Sequence, residues 1–172
     1  RTDRLLPDFS VLDYDISRDE RQVVFTTVGT DGERQVWIAS LDRRSAPRQI
    51  ARHADQAGFA DAGRIVFRSV EGHVNFIDRI KADGTTRERV TSEPIVDFRD
   101  VSPDGRWLVT MSSRSNNQPR TMVFPVDGGS PRVICGESCR TQWSPDGKRF
   151  FMWKGFYAGR RPILALPVPE GR

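Results

Sequence analysis

Ser102-Pro103-Asp104-Gly105 and Ser144-Pro145-Asp146-Gly147 are the same four residues set 42 positions apart. The same interval carried toward the N-terminus reaches Ala60-Asp61-Ala62-Gly63, and then Ser17-Arg18-Asp19-Glu20, a degenerate copy. The fourth positions fall at 20, 63, 105 and 147, so the period is 43, 42 and 42. A fixed period of this length marks a repeat architecture. The chemistry of the unit says what it does in each repeat. Pro presets φ, Asp bonds its own local backbone and Gly accepts positive φ, which together make a tight hairpin turn. An acid recurring once per repeat at such a place serves the turn and not a metal or a reaction.

Short apolar runs follow each turn: Val23-Val24-Phe25, Ile65-Val66-Phe67, Trp107-Leu108-Val109 and Phe150-Phe151-Met152. A second set follows after a polar gap: Val36-Trp37-Ile38, Val74-Asn75-Phe76-Ile77, Met122-Val123-Phe124 and Ile163-Leu164-Ala165. Turn pairs at Leu41-Asp42, Asp83-Gly84 and Asp127-Gly128 come next. A third set closes three of the repeats: Arg48-Gln49-Ile50, Arg87 to Val90 and Arg132-Val133-Ile134. The runs are strand-length, rich in β-branched and aromatic residues and bounded by Gly, Pro, Asp and Ser. No stretch carries a 3.6-residue apolar period. The chain is expected to be all-β, with about four strands in each repeat of about 42 residues, which is the blade of a β-propeller.

That period divides the chain into four four-stranded antiparallel blades at about 9–54, 55–94, 95–138 and 139–172. The last lacks an obvious fourth strand. Residues 1–8 are expected either to close the ring by supplying that strand or to end a preceding blade. Four blades either close compactly or form a fragment of a ring of roughly six to eight. A fragment leaves open blade edges, through which two copies of the chain are expected to pair as a homodimer.

Gln142-Trp143-Ser144-Pro145-Asp146-Gly147-Lys148 closely resembles the blade signature of the WD40-like PD40 repeats found in TolB-type propellers. Asp100-Val101-Ser102-Pro103-Asp104-Gly105-Arg106-Trp107 resembles it well, and Tyr14-Asp15-Ile16-Ser17-Arg18-Asp19 loosely. The resemblance runs from Phe9 to the end of the chain. Three further segments resemble the C-terminal propeller of acidobacterial-type serine/threonine kinases and winged-helix regulators. They are Leu5-Leu6-Pro7, Trp37 to Ser45, and the Cys135-to-Cys139 stretch before Trp143. The resemblance implies a sensor or interaction module. The sequence given holds no Gly-rich loop, His-Arg-Asp or Asp-Phe-Gly of a kinase.

Of the 172 residues, 29% are charged and 37% hydrophobic, as in a folded globular domain. The net charge is +4, and of 27 basic residues only Lys81, Lys148 and Lys154 are lysine. The arginines are scattered along the chain, which argues against a nucleic-acid face. No apolar run is long enough to cross a bilayer, so no membrane insertion is expected, and nothing near Arg1 reads as a signal peptide.

Cys135 and Cys139, the only cysteines, fit a small disulfide loop, a pair of free thiols or half of a metal site. Zinc would need two further ligands, and the only histidines, His53 and His73, stand blades away. No metal and no cofactor is expected. A disulfide would imply an oxidising compartment. No Gly-x-Ser-x-Gly elbow occurs, and neither histidine sits in a pattern with a Ser and an acid, so no catalysis is expected.

In a propeller the loops between second and third strands share a face with those entering the first strand. That face should gather Arg34, His53, His73, Arg114, Asn116, Asn117, Arg140, Tyr157, Arg160 and Arg161. Such a rim would take a protein, a peptide or a small anionic ligand. Trp153, Phe156 and Tyr157 are aromatic enough to anchor a partner or to cover an inter-blade seam. The functional expectation is a non-catalytic binding or sensor module of a larger signalling protein, extracytoplasmic or periplasmic and attached to a membrane-anchored chain. Two alternatives are the non-catalytic gating propeller of a prolyl-oligopeptidase-like serine peptidase and a TolB-like periplasmic module of an envelope complex.

Overall fold

Alternating apolar and polar residues put one set of side chains on each face of a strand, and the four turns fold each repeat back on itself. The computed structural model describes residues 5–60, 63–113, 118–154 and 162–168. Every regular element among them is a strand, and no helix is long and apolar enough to cross a membrane. The first sheet holds β1 (Val11–Ile16), β2 (Gln22–Val28), β3 (Arg34–Ser40) and β4 (Arg48–Arg52), in that order. The second holds β5 (Ala54–Phe59), β6 (Arg64–Glu71), β7 (Val74–Lys81) and β8 (Glu88–Arg89). The third holds β9 (Asp97–Val101), β10 (Trp107–Ser113), β11 (Pro119–Pro125) and β12 (Arg132–Cys135). The fourth holds β13 (Cys139–Trp143), β14 (Arg149–Lys154) and β15 (Leu164–Pro167). All pairings are antiparallel between sequence neighbours. These are blades with the first strand innermost, and they fan about an axis without closing into a ring.

The Ser-Pro-Asp-Gly turn joins the two inner strands of a blade. In the third blade the Ser102 hydroxyl donates to Asp104 at 2.5 Å, while the Arg106 and Trp107 N–H groups donate to Asp104 and Ser102. Ser144 and Asp146 repeat this arrangement in the fourth blade. The degenerate first copy keeps it too: Ser17 donates to Asp19 at 2.7 Å and accepts from Gln22 N–H. Glu20 there holds φ at 55°, the left-handed region that Gly105 occupies at 70°. These bonds from serine and backbone hold Asp19 and Asp146 below the usual carboxylate range. In the second blade Ala60 N–H donates to the Arg64 carbonyl, one residue nearer than the equivalent Ser102–Trp107 bond.

The blades pack through three apolar seams. Val24, Val36 and Ile38 of the first meet Ala54, Ile65 and Phe67 of the second. Val66 and Ile77 meet Phe98, Leu108, Met122 and Phe124. Trp107, Val109 and Val123 meet Trp143 and Phe150, whose rings stand edge to face at 4.7 Å. Arginines clasp the outer parts of the first two seams. Arg48 donates to the Ala82 carbonyl, and Arg79 to the Val126 carbonyl at 2.7 Å. On the other face of the first blade, Leu5, Leu6 and Phe9 pack over Val23, Phe25, Trp37, Ala39 and Leu41.

Candidate functional site: the groove of the inner strands

Three inner strands, β1, β5 and β9, approach one another closely around Gly58. A methyl group on Gly58 would come within 3.3 Å of Val101 and 3.5 Å of the Asp15 carboxylate. Around that approach lies a groove of about 470 Å³. It is lined by Asp13 to Ile16 and Arg18, by Gln56 to Phe59, and by Phe98 to Pro103.

Polar side chains bridge the blades along this groove. Phe59 N–H on β5 donates to Asp15 of β1 at 2.7 Å. Gln56, at φ 51° in a bulge of β5, donates to Asp97 at 2.8 Å and accepts from Phe98 N–H at 3.2 Å. A left-handed backbone is unfavourable for a residue with a side chain, by about 1–2 kcal/mol. Two bonds into the next blade offset it. Asp55, 1% exposed, is the hub behind the groove. It accepts a bidentate pair from Arg68 at 2.6 and 2.7 Å and a further bond from Arg34. Bonding to Asp55 holds the Arg68 guanidinium above its ordinary pKa against the opposing effect of burial.

Two of the groove carboxylates, Asp13 and Asp100, are perturbed upward. Burial raises Asp13, with the Thr26 hydroxyl bond opposing and the Asp55 charge adding to the rise. Asp100 is pushed up to about 6, chiefly by desolvation, with the Asp15 charge adding to it and a bond from Val101 N–H opposing. By surface area Asp100 is an exposed residue of the groove lining, so its carboxyl is reachable from the groove. These acids were not singled out in the sequence. One signal was there: Asp13, Asp55 and Asp97 recur at the same 42-residue interval as the turns.

The rim residues divide between several settings. Arg34 is committed to Asp55, and His53 Nδ1 lies 3.0 Å from the Glu33 carboxylate. Arg52 beside it pairs with Asp31, so this stretch of the rim is charge-balanced. His73 is exposed in the turn between β6 and β7, and Arg140 is exposed on β13 opposite Trp153. Arg114, Asn116, Asn117, Phe156, Tyr157, Arg160 and Arg161 lie outside the described residues. Cys135 and Cys139 are joined in a disulfide. With Met152, Trp153, Pro162 and Leu164 they line an apolar cavity of about 220 Å³. Among the described residues no group of His, Cys, Asp and Glu is arranged to hold a metal ion.

No protein-family model matches the sequence, and no curated protein matches it. Solved structures do. TolB from Acinetobacter baumannii superposes with a TM-score of 0.73 at 15% identity, over 93% of this chain and 41% of that one. The fold is that of a β-propeller, seen here as four consecutive blades. A putative TolB from Agrobacterium tumefaciens gives 0.70 at 20% identity, over 91% of this chain and 61% of that one. The propeller domain of the Trilobed protease from Pyrococcus furiosus gives 0.66 at 12% identity, over 95% and 56%. The chain thus spans less than two thirds of the length of each of these propeller proteins. Likeness at such identities establishes the fold, for TolB and protease propellers alike. The narrower resemblance to kinase-attached propellers has no counterpart among these three structures.

Proposed function

We propose that this chain is a non-catalytic binding module within a larger protein, and that it takes a protein or peptide segment in the groove of β1, β5 and β9. The observation that carries this is the groove itself. It is a concave surface of about 470 Å³ where Asp13, Asp15 and Asp100 face Arg18 and Arg99 beside the apolar walls of Phe59, Phe98 and Val101. A few convergent polar groups among apolar walls are what a recognition site needs. The rim is the weaker candidate, because Arg34 and His53 already face Asp55 and Glu33, and Arg52 beside them pairs with Asp31. Reading the chain as a sensor of a larger signalling protein rests on the sequence resemblance alone. An extracytoplasmic setting gains support from the disulfide, since such bonds persist in oxidising compartments.

The test is panning of random phage-displayed 12-residue peptides against the 172-residue chain. Peptides carrying Lys or Arg beside an apolar residue should be enriched, and their affinity should drop about tenfold on Asp15→Asn with Asp100→Asn. Asparagine keeps the shape and the acceptor for Phe59 N–H, so the variant isolates charge. Enriched peptides that bind the double variant undiminished would move the site away from the groove.

A further inference from the structure

The third seam is built differently from the other two. Polar bridges at the axis tie the first three blades together, through Asp15 to Phe59 and through Gln56 to Asp97 and Phe98. The fourth blade leans on the third through the apolar contacts of Trp107, Val109 and Val123 with Trp143 and Phe150. At the edge of this seam stands the disulfide. Cys135 is the last residue of β12 and Cys139 the first of β13, so the bond closes the connection that carries the chain from one sheet to the next.

The small loop inside that bond touches both blades. Thr121 of β11, itself buried, donates its hydroxyl to the Glu137 carbonyl and accepts from Cys139 N–H, each at 2.9 Å. The Glu137 carboxylate pairs at 2.6 Å with Lys154 at the end of β14. The shape of five residues thus fixes where β13 starts relative to β11, and where β14 ends. Both cysteines are largely shielded, at 8% and 3% exposure. Both line the apolar cavity of about 220 Å³ with Met152, Trp153 and Leu164, so the bond borders space that a small thiol can fill.

We propose that the Cys135–Cys139 bond is a redox-controlled clasp that holds the fourth blade on the third and is opened by a dithiol reductant. A thiolate of the dithiol attacks one sulfur, the S–S bond breaks and a mixed disulfide forms. The second thiol of the reductant then displaces it. The chain is left with two thiols, and the reductant departs as its own disulfide, oxidised by the two electrons the chain has gained. Opening the bond frees the 136–138 loop to leave Thr121, and β13 loses its fixed starting point. The apolar contacts of Trp107, Val109 and Val123 with Trp143 and Phe150 then carry more of the load of holding the blade. The device is independent of whether the axial groove binds a peptide.

Hydrogen exchange read by mass spectrometry, on the whole 172-residue chain before and after dithiothreitol, tests this. Thiol counting on the intact mass establishes the redox state of each sample. In the reduced chain the amides of β13 and β14 should exchange roughly tenfold or more faster, from the loop-closure entropy returned to the open form. Those of β2, β3, β6 and β7 should be unchanged, and reoxidation should restore protection. The Cys135→Ser, Cys139→Ser double variant should match the reduced chain and ignore the reductant. Equal protection of β13 and β14 in the two redox states overturns the proposal. So does reduction that loosens all four blades alike, because a clasp for one blade leaves the others closed.

Discussion

A single carboxyl, Asp100, shows how position sets chemistry in this fold. Desolvation in the groove, with the Asp15 charge adding to it, pushes it up to about 6, above the value of about 3.9 of a free aspartate. The folded chain therefore holds the proton more tightly than the unfolded chain across pH 4 to 6. The contribution of this group to stability falls as pH rises through that window, because the folded state must then carry a charge it solvates poorly. At pH 7.5 Asp100→Asn should raise Tm, on the order of 2 °C given the solvent still touching the carboxyl. At pH 4, where the folded carboxyl is already neutral, the two proteins should melt together. A Tm gain of equal size at both pH values would show that charge has no part in it. The turn acids Asp104 and Asp146 were legible in the sequence, since their role is set within five residues of chain. Asp100 and Asp13 were not. Their setting depends on which strands meet at the axis, and a local reading cannot supply that.

At the scale of an element, the shortest strand is the most instructive. β8 has two residues, Glu88 and Arg89, yet it holds the outer edge of the second blade. Side chains explain why. Asp78 of β7, nearly buried, accepts from Arg87 at 2.6 and 2.8 Å and from Arg89 at 3.0 Å. The same two guanidinium groups lie over the Phe67 and Phe76 rings, at 5.2 and 4.0 Å from the centroids. Asp78→Ala removes the shared acceptor. It should cost about 1.5–3 kcal/mol, the worth of hydrogen bonds to a charged group, read from the urea midpoint. Exchange of the Val90 amide, which donates to the Ile77 carbonyl at 2.8 Å, should quicken while the amides of Ile65 and Val66 keep their protection. Val90 protection that survives the substitution would mean that the backbone alone holds β8. The Arg87-to-Val90 run was readable as a strand from its place in the period. Its anchoring was not, because an aspartate inside a strand reads as a solvated residue until its two partners are seen to fold over it.

For the molecule as a whole, the first blade presents a face with unequal cover. Tyr14 pairs with Phe25 and Ile16 with Val23 across the β1–β2 ladder, so these side chains share one face. Leu5, Leu6 and Phe9 cover the β2 half of it. The β1 half stands open, with Leu12 52%, Tyr14 65% and Ile16 43% exposed. Asp13 and Asp15 turn to the second blade, which leaves Tyr14 and Ile16 beside an unpaired strand edge, with Leu12 next to them in the β1 bulge. The periodic turns announced blades in the sequence. The alternation of acids and apolar residues in β1 is visible in the sequence, but not that Asp15 bonds across to β5 while Tyr14 and Ile16 border the groove and the free edge. An apolar row at a free edge is the pattern through which strands associate. In light scattering on a size-exclusion column, the 172-residue chain should show a mass above 19.5 kDa that rises with concentration. Leu12→Lys with Ile16→Lys places two like charges on the row and should return the mass to that of one chain, with the far-ultraviolet circular dichroism unchanged. A wild-type mass of 19.5 kDa at every concentration would show that this row does not pair copies of the chain.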